Sequence, residues 1–142
     1  MTSRYDSAKK CRVGTMDEGQ FYSEAGKASG NYFRSLIDAW EKKGGTLKWG
    51  AGGVGLRGSI EGKEVGICFL APAYGGKKDR IELSLTTLAK QIGIPRAEAL
   101  KAALQKAAGD HLKGASMVSI LEPGALSPAA QKSLTSALSK LL

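Results

Sequence analysis

The amino-acid sequence predicts an α+β domain, and three observations carry that reading. Apolar residues recur at helical spacing in one early segment: Phe33, Leu36, Ile37 and Trp40. Between residues 44 and 85 the apolar residues alternate instead, in short runs broken by glycine. After residue 85 the helical spacing returns. A first helix, a four-strand antiparallel meander and then helices on one face of the sheet is the architecture this order implies.

The first helix is expected over about residues 30–43. Ser29 or Asn31 caps its start, and Gly44-Gly45 ends it after Lys42 and Lys43. Trp40 then belongs to the core. Four strands follow, at residues 46–50, 54–60, 64–71 and 80–85. Leu47 and Trp49 share one face of the first, with Lys48 on the other. Val54, Leu56, Gly58 and Ile60 oppose Gly55, Arg57 and Ser59 in the second. Glu61-Gly62-Lys63 is a tight-turn sequence that joins it to the third. The third is apolar on both faces, which places it centrally. Pro72 stops it, and Tyr74 to Lys78 form a flexible basic loop.

Helices are expected at residues 86–92, 95–108 and 127–142, with one more short strand at 116–121. Pro95 suits a first helical position, and Ser127 is an N-cap. A chain of 142 residues is a single-domain length. The expected division is a mobile tail over 1–18 and one α+β domain over 19–142. Residues 115–142 are also readable as a C-terminal interaction extension.

The formal charge is +8. It is unevenly placed: residues 16–40 carry two basic and four acidic side chains, residues 41–80 eight basic and four acidic. The sheet region is therefore electropositive, which favours anionic partners without specifying a fold. Met1 to Gly30 lacks the apolar core of a signal peptide, and no run reaches the ~18 apolar residues of a membrane span. Cys11 lies in a polar segment and Cys68 in an apolar strand. They are poor disulfide partners, and a reducing cytoplasm is the expected setting.

Catalytic signatures are weak. Gly50 to Gly55 fits G-x-G-x-x-G, but a strand follows it where a dinucleotide site needs a helix. Glu61-Gly62-Lys63 lacks the second carboxylate of a metal-dependent nuclease site. Cys11, Cys68 and His111 have no metal-ligand spacing, and a buried Cys68 is a poor nucleophile for a pair with His111. No catalytic residue, metal or cofactor is expected, and an enzyme is the third-ranked class.

Binding signals are stronger. Lys48 and Arg57 fall on the sheet face opposite the apolar sets, and Lys77, Lys78 and Arg80 cluster after Tyr74. Cations along a sheet with a nearby aromatic hold nucleic acid by phosphate attraction and base stacking. The expected function is a non-catalytic nucleic-acid-binding domain using Lys48, Arg57, Tyr74, Lys77, Lys78 and Arg80. Leu88 to Leu100 resembles the helix-turn-helix pattern, with Ala89 and Gly93 in place and Ala99 where Val or Ile is usual. That resemblance implies a recognition helix presenting Arg96, Lys101 and Gln105 to DNA. The second-ranked class is a protein-interaction or homo-oligomeric module, from the amphipathic C-terminal helix with Leu134, Leu138, Leu141 and Leu142 and from open sheet edges.

Overall fold

The structure is a computed structural model that describes residues 5–6, 11–12, 15–73 and 78–142. In chain order the elements are β1 (Tyr5–Asp6), β2 (Cys11–Arg12), α1 (Glu18–Glu24), α2 (Lys27–Lys42), β3 (Thr46–Trp49), β4 (Val54–Ile60), β5 (Lys63–Ala71), β6 (Arg80–Ser84), α3 (Leu85–Ile92), α4 (Ile94–Ala108), β7 (Leu112–Lys113), β8 (Met117–Leu121) and α5 (Pro128–Ser139). The class is α+β with helices on one face of an antiparallel sheet, as the sequence predicts.

The sheet is wider than the expected meander. Its order is β3-β4-β5-β6-β8-β7, so the four-strand meander is continued by two later strands. The strand expected at 116–121 is β8, and it pairs with β6 through Ile81↔Ile120 and Leu83↔Val118. β1 and β2 form a separate two-stranded antiparallel sheet.

One cross-strand row shows how the core forms. Val54, Leu70, Ile81 and Ile120 are register partners across β4, β5, β6 and β8, and all four are fully buried. Alternation puts them on the face that the helices cover. Phe33, Leu36 and Trp40 of α2 and Leu134 and Leu138 of α5 are equally buried above it. The Trp40 indole Nε1–H donates to the Arg57 carbonyl at 2.9 Å, fixing α2 to β4. Tyr32 Oη and Thr135 Oγ1 lie 3.0 Å apart and join α2 to α5.

β5 is interior, but for a reason the alternation hides. Leu56 pairs with Cys68 and Arg57 with Gly66, leaving Ile67 as an extra residue in a β-bulge. The bulge shifts the parity of the strand, so Val65, Cys68 and Leu70 all fall on the covered face. The slip accounts for the consecutive apolar Ile67 and Cys68, while Phe69 between Cys68 and Leu70 faces the open side.

The core reaches further toward the N-terminus than the division at residue 19 implies. Met16 is 1% exposed and its amide donates to the Gly50 carbonyl at 2.9 Å. Asp17 then caps α1, its Oδ1 accepting from the Gln20 amide at 2.8 Å. Phe21 of α1 is fully buried, edge-on to Trp49. At the other end, the leucine stripe of α5 is internal, so residues 128–142 pack as part of the same core.

Candidate functional site

Because the helices cover one face, the other face of the sheet is open to solvent. The same registers define its central row: Lys48, Gly55, Phe69, Glu82 and Ser119. Gly55 contributes no side chain between Lys48 and Phe69, and Gly66 contributes none beside Arg57. The result is a groove of about 440 Å³ across the middle strands. Phe69 is half-buried in it, with its ring against the glycines of the Gly50–Gly53 turn and Gly55. Met117, 64% exposed, stands at the far wall.

The turn itself is built by glycine for a steric reason. A Cβ on Gly53, whose φ is +153°, would meet the Leu70 carbonyl oxygen at 2.0 Å. The Gly50 amide closes the turn on the Gly53 carbonyl at 2.8 Å. The G-x-G-x-x-G match is therefore a strand-to-strand turn that seats the Phe69 ring.

The groove's two cations differ. Lys48 is exposed, and among the described residues it has no carboxylate within ion-pair distance. The Arg57 guanidinium lies across Gly66, where a Cβ would come within 3.0 Å of Nη1. Its Nε is 3.4 Å from Glu64 Oε1, an exposed pair that holds the guanidinium loosely. Both cations lie on the β3–β4 side of Phe69, and Glu82 is its cross-strand neighbour on the other side.

The remaining expected residues are placed as follows. Tyr74 and Lys77 lie outside the described residues. Lys78 is exposed and sits 3.6 Å from Glu122 Oε2. Arg80 is 8% exposed; its Nε donates to Glu82 Oε2 at 3.0 Å and its Nη1 to the Lys78 carbonyl at 3.2 Å. Its guanidinium is thus engaged inside the fold, where it also neutralises the acid of the central row. Neighbouring Asp79 is buried and structural, accepting from the amides of Gly26 at 2.9 Å and Ala73 at 2.7 Å.

Phe69 is the site residue that the sequence reading missed. The available signal was an aromatic opposite a strand glycine. Trp49 points with Leu47 toward the core side, as expected.

The helix–glycine–helix corner forms at Gly93, whose φ is +95°. Its three candidate residues do not share a face. Arg96 lines a groove between α4 and α5 and reaches Glu61 Oε1 at 3.5 Å. Lys101 lines a different groove, beside α3. Gln105 is exposed and lies half a helical turn from Arg96 at ~100° per residue.

The described residues hold no cluster of three His, Cys, Asp or Glu side chains placed for a metal ion. Cys68 is a free thiol inside the core, and burial pushes its pKa up to about 12. His111 Nδ1 is 2.8 Å from the Leu121 carbonyl. No described helix is long and apolar enough to cross a membrane. Comparison with protein-family models, curated proteins and solved structures found no match, so the functional reading rests on this geometry.

Proposed function

We propose that this chain binds nucleic acid, without catalysis, on the open face of its sheet, in a cytoplasmic setting. One observation carries the reading: the Phe69 ring shares a groove on the open sheet face with two cations, Lys48 and Arg57, that stand on its β3–β4 side. A base entering the groove stacks on Phe69 while its phosphates meet Lys48 and Arg57. Gly55 admits the base because it places no side chain between Lys48 and Phe69. Single strands fit better than duplex, since a paired base has no free face to offer. The unpaired Cys68 thiol accords with a reducing compartment.

The test is fluorescence anisotropy of labelled single-stranded and duplex oligonucleotides at ~50 and ~200 mM salt. The expected result is micromolar single-strand binding that weakens with salt. In Lys48→Glu/Arg57→Glu the log–log salt slope should fall by about 0.7 for each lost phosphate contact. Duplex binding that depends on Lys101 and Gln105 would instead favour the helix-turn-helix alternative. No binding at low salt sinks both.

A further inference from the structure

A second groove lies among the helices that cover the other face of the sheet. It runs between α4 and α5 and encloses about 1040 Å³. Ala99, Ala103 and Ala107 recur one turn apart along one wall. Ala130, Ser133 and Ala137, three and four residues apart, share one face along the other. The leucines of α5 are turned into the core, so this outer face is what the helix leaves uncovered.

The charge around it is of one sign. Arg96 and Lys106 of α4, Lys132 of α5 and Lys140 at its C-cap line the groove, and among the described residues no acidic side chain lines it. Lys106, Lys132 and Lys140 are exposed, and none of the three has a carboxylate within ion-pair distance among the described residues. Arg96 reaches only the exposed Glu61 of the β4–β5 turn. Four cations around an uncharged floor match a ligand with an apolar ridge and acidic flanks.

We propose that the α4–α5 groove docks an acidic amphipathic α-helix of a protein partner. The alanine and serine floor lets a helix backbone approach closely, as small residues do wherever helices pack tightly. α4 spans fifteen residues and α5 twelve, which at ~1.5 Å per residue gives a trough about 20 Å long, or four helical turns. A bound helix completes a three-helix layer with α4 and α5. Its apolar residues cover the alanines and its glutamates or aspartates meet the four cations. Nucleic acid suits this groove poorly: among the described residues no aromatic lines it for stacking, and the methyl-rich floor would be left against phosphate.

The groove and the open sheet face share no lining residue, so one set of variants separates binding at the two. The probe is a fluorescent peptide of about 18 residues with leucine and alanine at helical spacing and glutamate elsewhere. Its controls are a scrambled peptide of the same composition and a labelled oligonucleotide. The expected result is salt-sensitive binding of the amphipathic peptide, with helix formation seen by circular dichroism. Lys106→Glu/Lys132→Glu should weaken it about tenfold or more, since both charges sit on the rim and repel the probe once reversed. Ala130→Leu, which narrows the groove without touching charge, should weaken it as well. Lys48→Glu/Arg57→Glu should leave it unchanged. Circular dichroism of the unliganded variants verifies that each is folded. Equal binding of the scrambled peptide overturns the proposal. So does indifference to both groove variants, or oligonucleotide binding that Lys106→Glu/Lys132→Glu abolishes.

Discussion

Replacing Trp40 by phenylalanine tests how the helical layer positions the sheet. Trp40 is fully buried, and its indole Nε1–H donates to the Arg57 carbonyl at 2.9 Å, with the Thr46 carbonyl a second acceptor at 3.3 Å. Phenylalanine removes that donor and leaves the Arg57 carbonyl facing apolar surroundings, a loss of about 1–3 kcal/mol. The smaller ring also leaves a void beside Gly45, whose missing Cβ would fall 2.3 Å from the indole nitrogen. That void adds roughly 1 kcal/mol. The total of about 2–4 kcal/mol should appear in urea unfolding as a lower midpoint with an unchanged slope. In a thermal scan it corresponds to a fall of several degrees to about 15 °C. A variant within ~0.5 kcal/mol of the parent would refute the reasoning, because it would mean that the indole nitrogen is not a structural donor.

Three further outcomes follow from the packing. Gly124→Ala should destabilise by about 1–3 kcal/mol or more, since the added Cβ would meet the Ser29 amide nitrogen at 2.2 Å and the Ala28 carbonyl carbon at 2.3 Å. Ser29→Ala, which removes only the 3.2 Å bond from the Gly124 amide, should cost less by urea titration. Gly55→Ala should hold or raise stability by up to ~1 kcal/mol, because its Cβ meets nothing closer than 3.6 Å and the unfolded chain loses freedom. In a Cys11→Ser background, Cys68 should resist a thiol reagent in the folded state and react on unfolding. Its folded pKa, about 12, lies above the ordinary 9.0, so the folded chain holds a proton that the unfolded chain releases between those values. The stability it contributes is therefore complete below about pH 9 and falls by up to ~1.4 kcal/mol per pH unit above it. The parent's advantage over Cys68→Ala should shrink by that amount one unit above, as read from urea midpoints.

Which parts of this molecule were legible in the sequence follows from how local each signal is. The β4 span and the start of α2's apolar face were readable because Val54-Leu56-Ile60 and Phe33-Leu36-Ile37-Trp40 carry their periods within one element. α1 was not read, since it has few apolar residues and an acidic opening. The Asp17 to Gln20 spacing, a capping pair, was the signal on offer. The width of the sheet was hidden because β8 joins β6 across two intervening helices, and pairing over that distance leaves no local trace. Phe69 was hidden by the bulge at Ile67, which breaks the alternation that would have assigned it to the open face. Arg80 read as a surface cation because charge alone does not reveal a covering partner such as Glu82. The α5 leucines read equally well as core or as interface; a helix stripe says that something covers it, not what.

The most direct test of the sheet-face reading is the affinity of a labelled single-stranded oligonucleotide for Phe69→Ala, with Phe69→Leu and circular dichroism as checks on folding. If a base stacks on this ring, the alanine variant should lose about 1–3 kcal/mol per stacked base, some five- to 150-fold, and leucine should not restore it. An affinity equal to that of the parent, in a folded Phe69→Ala variant, would contradict the account.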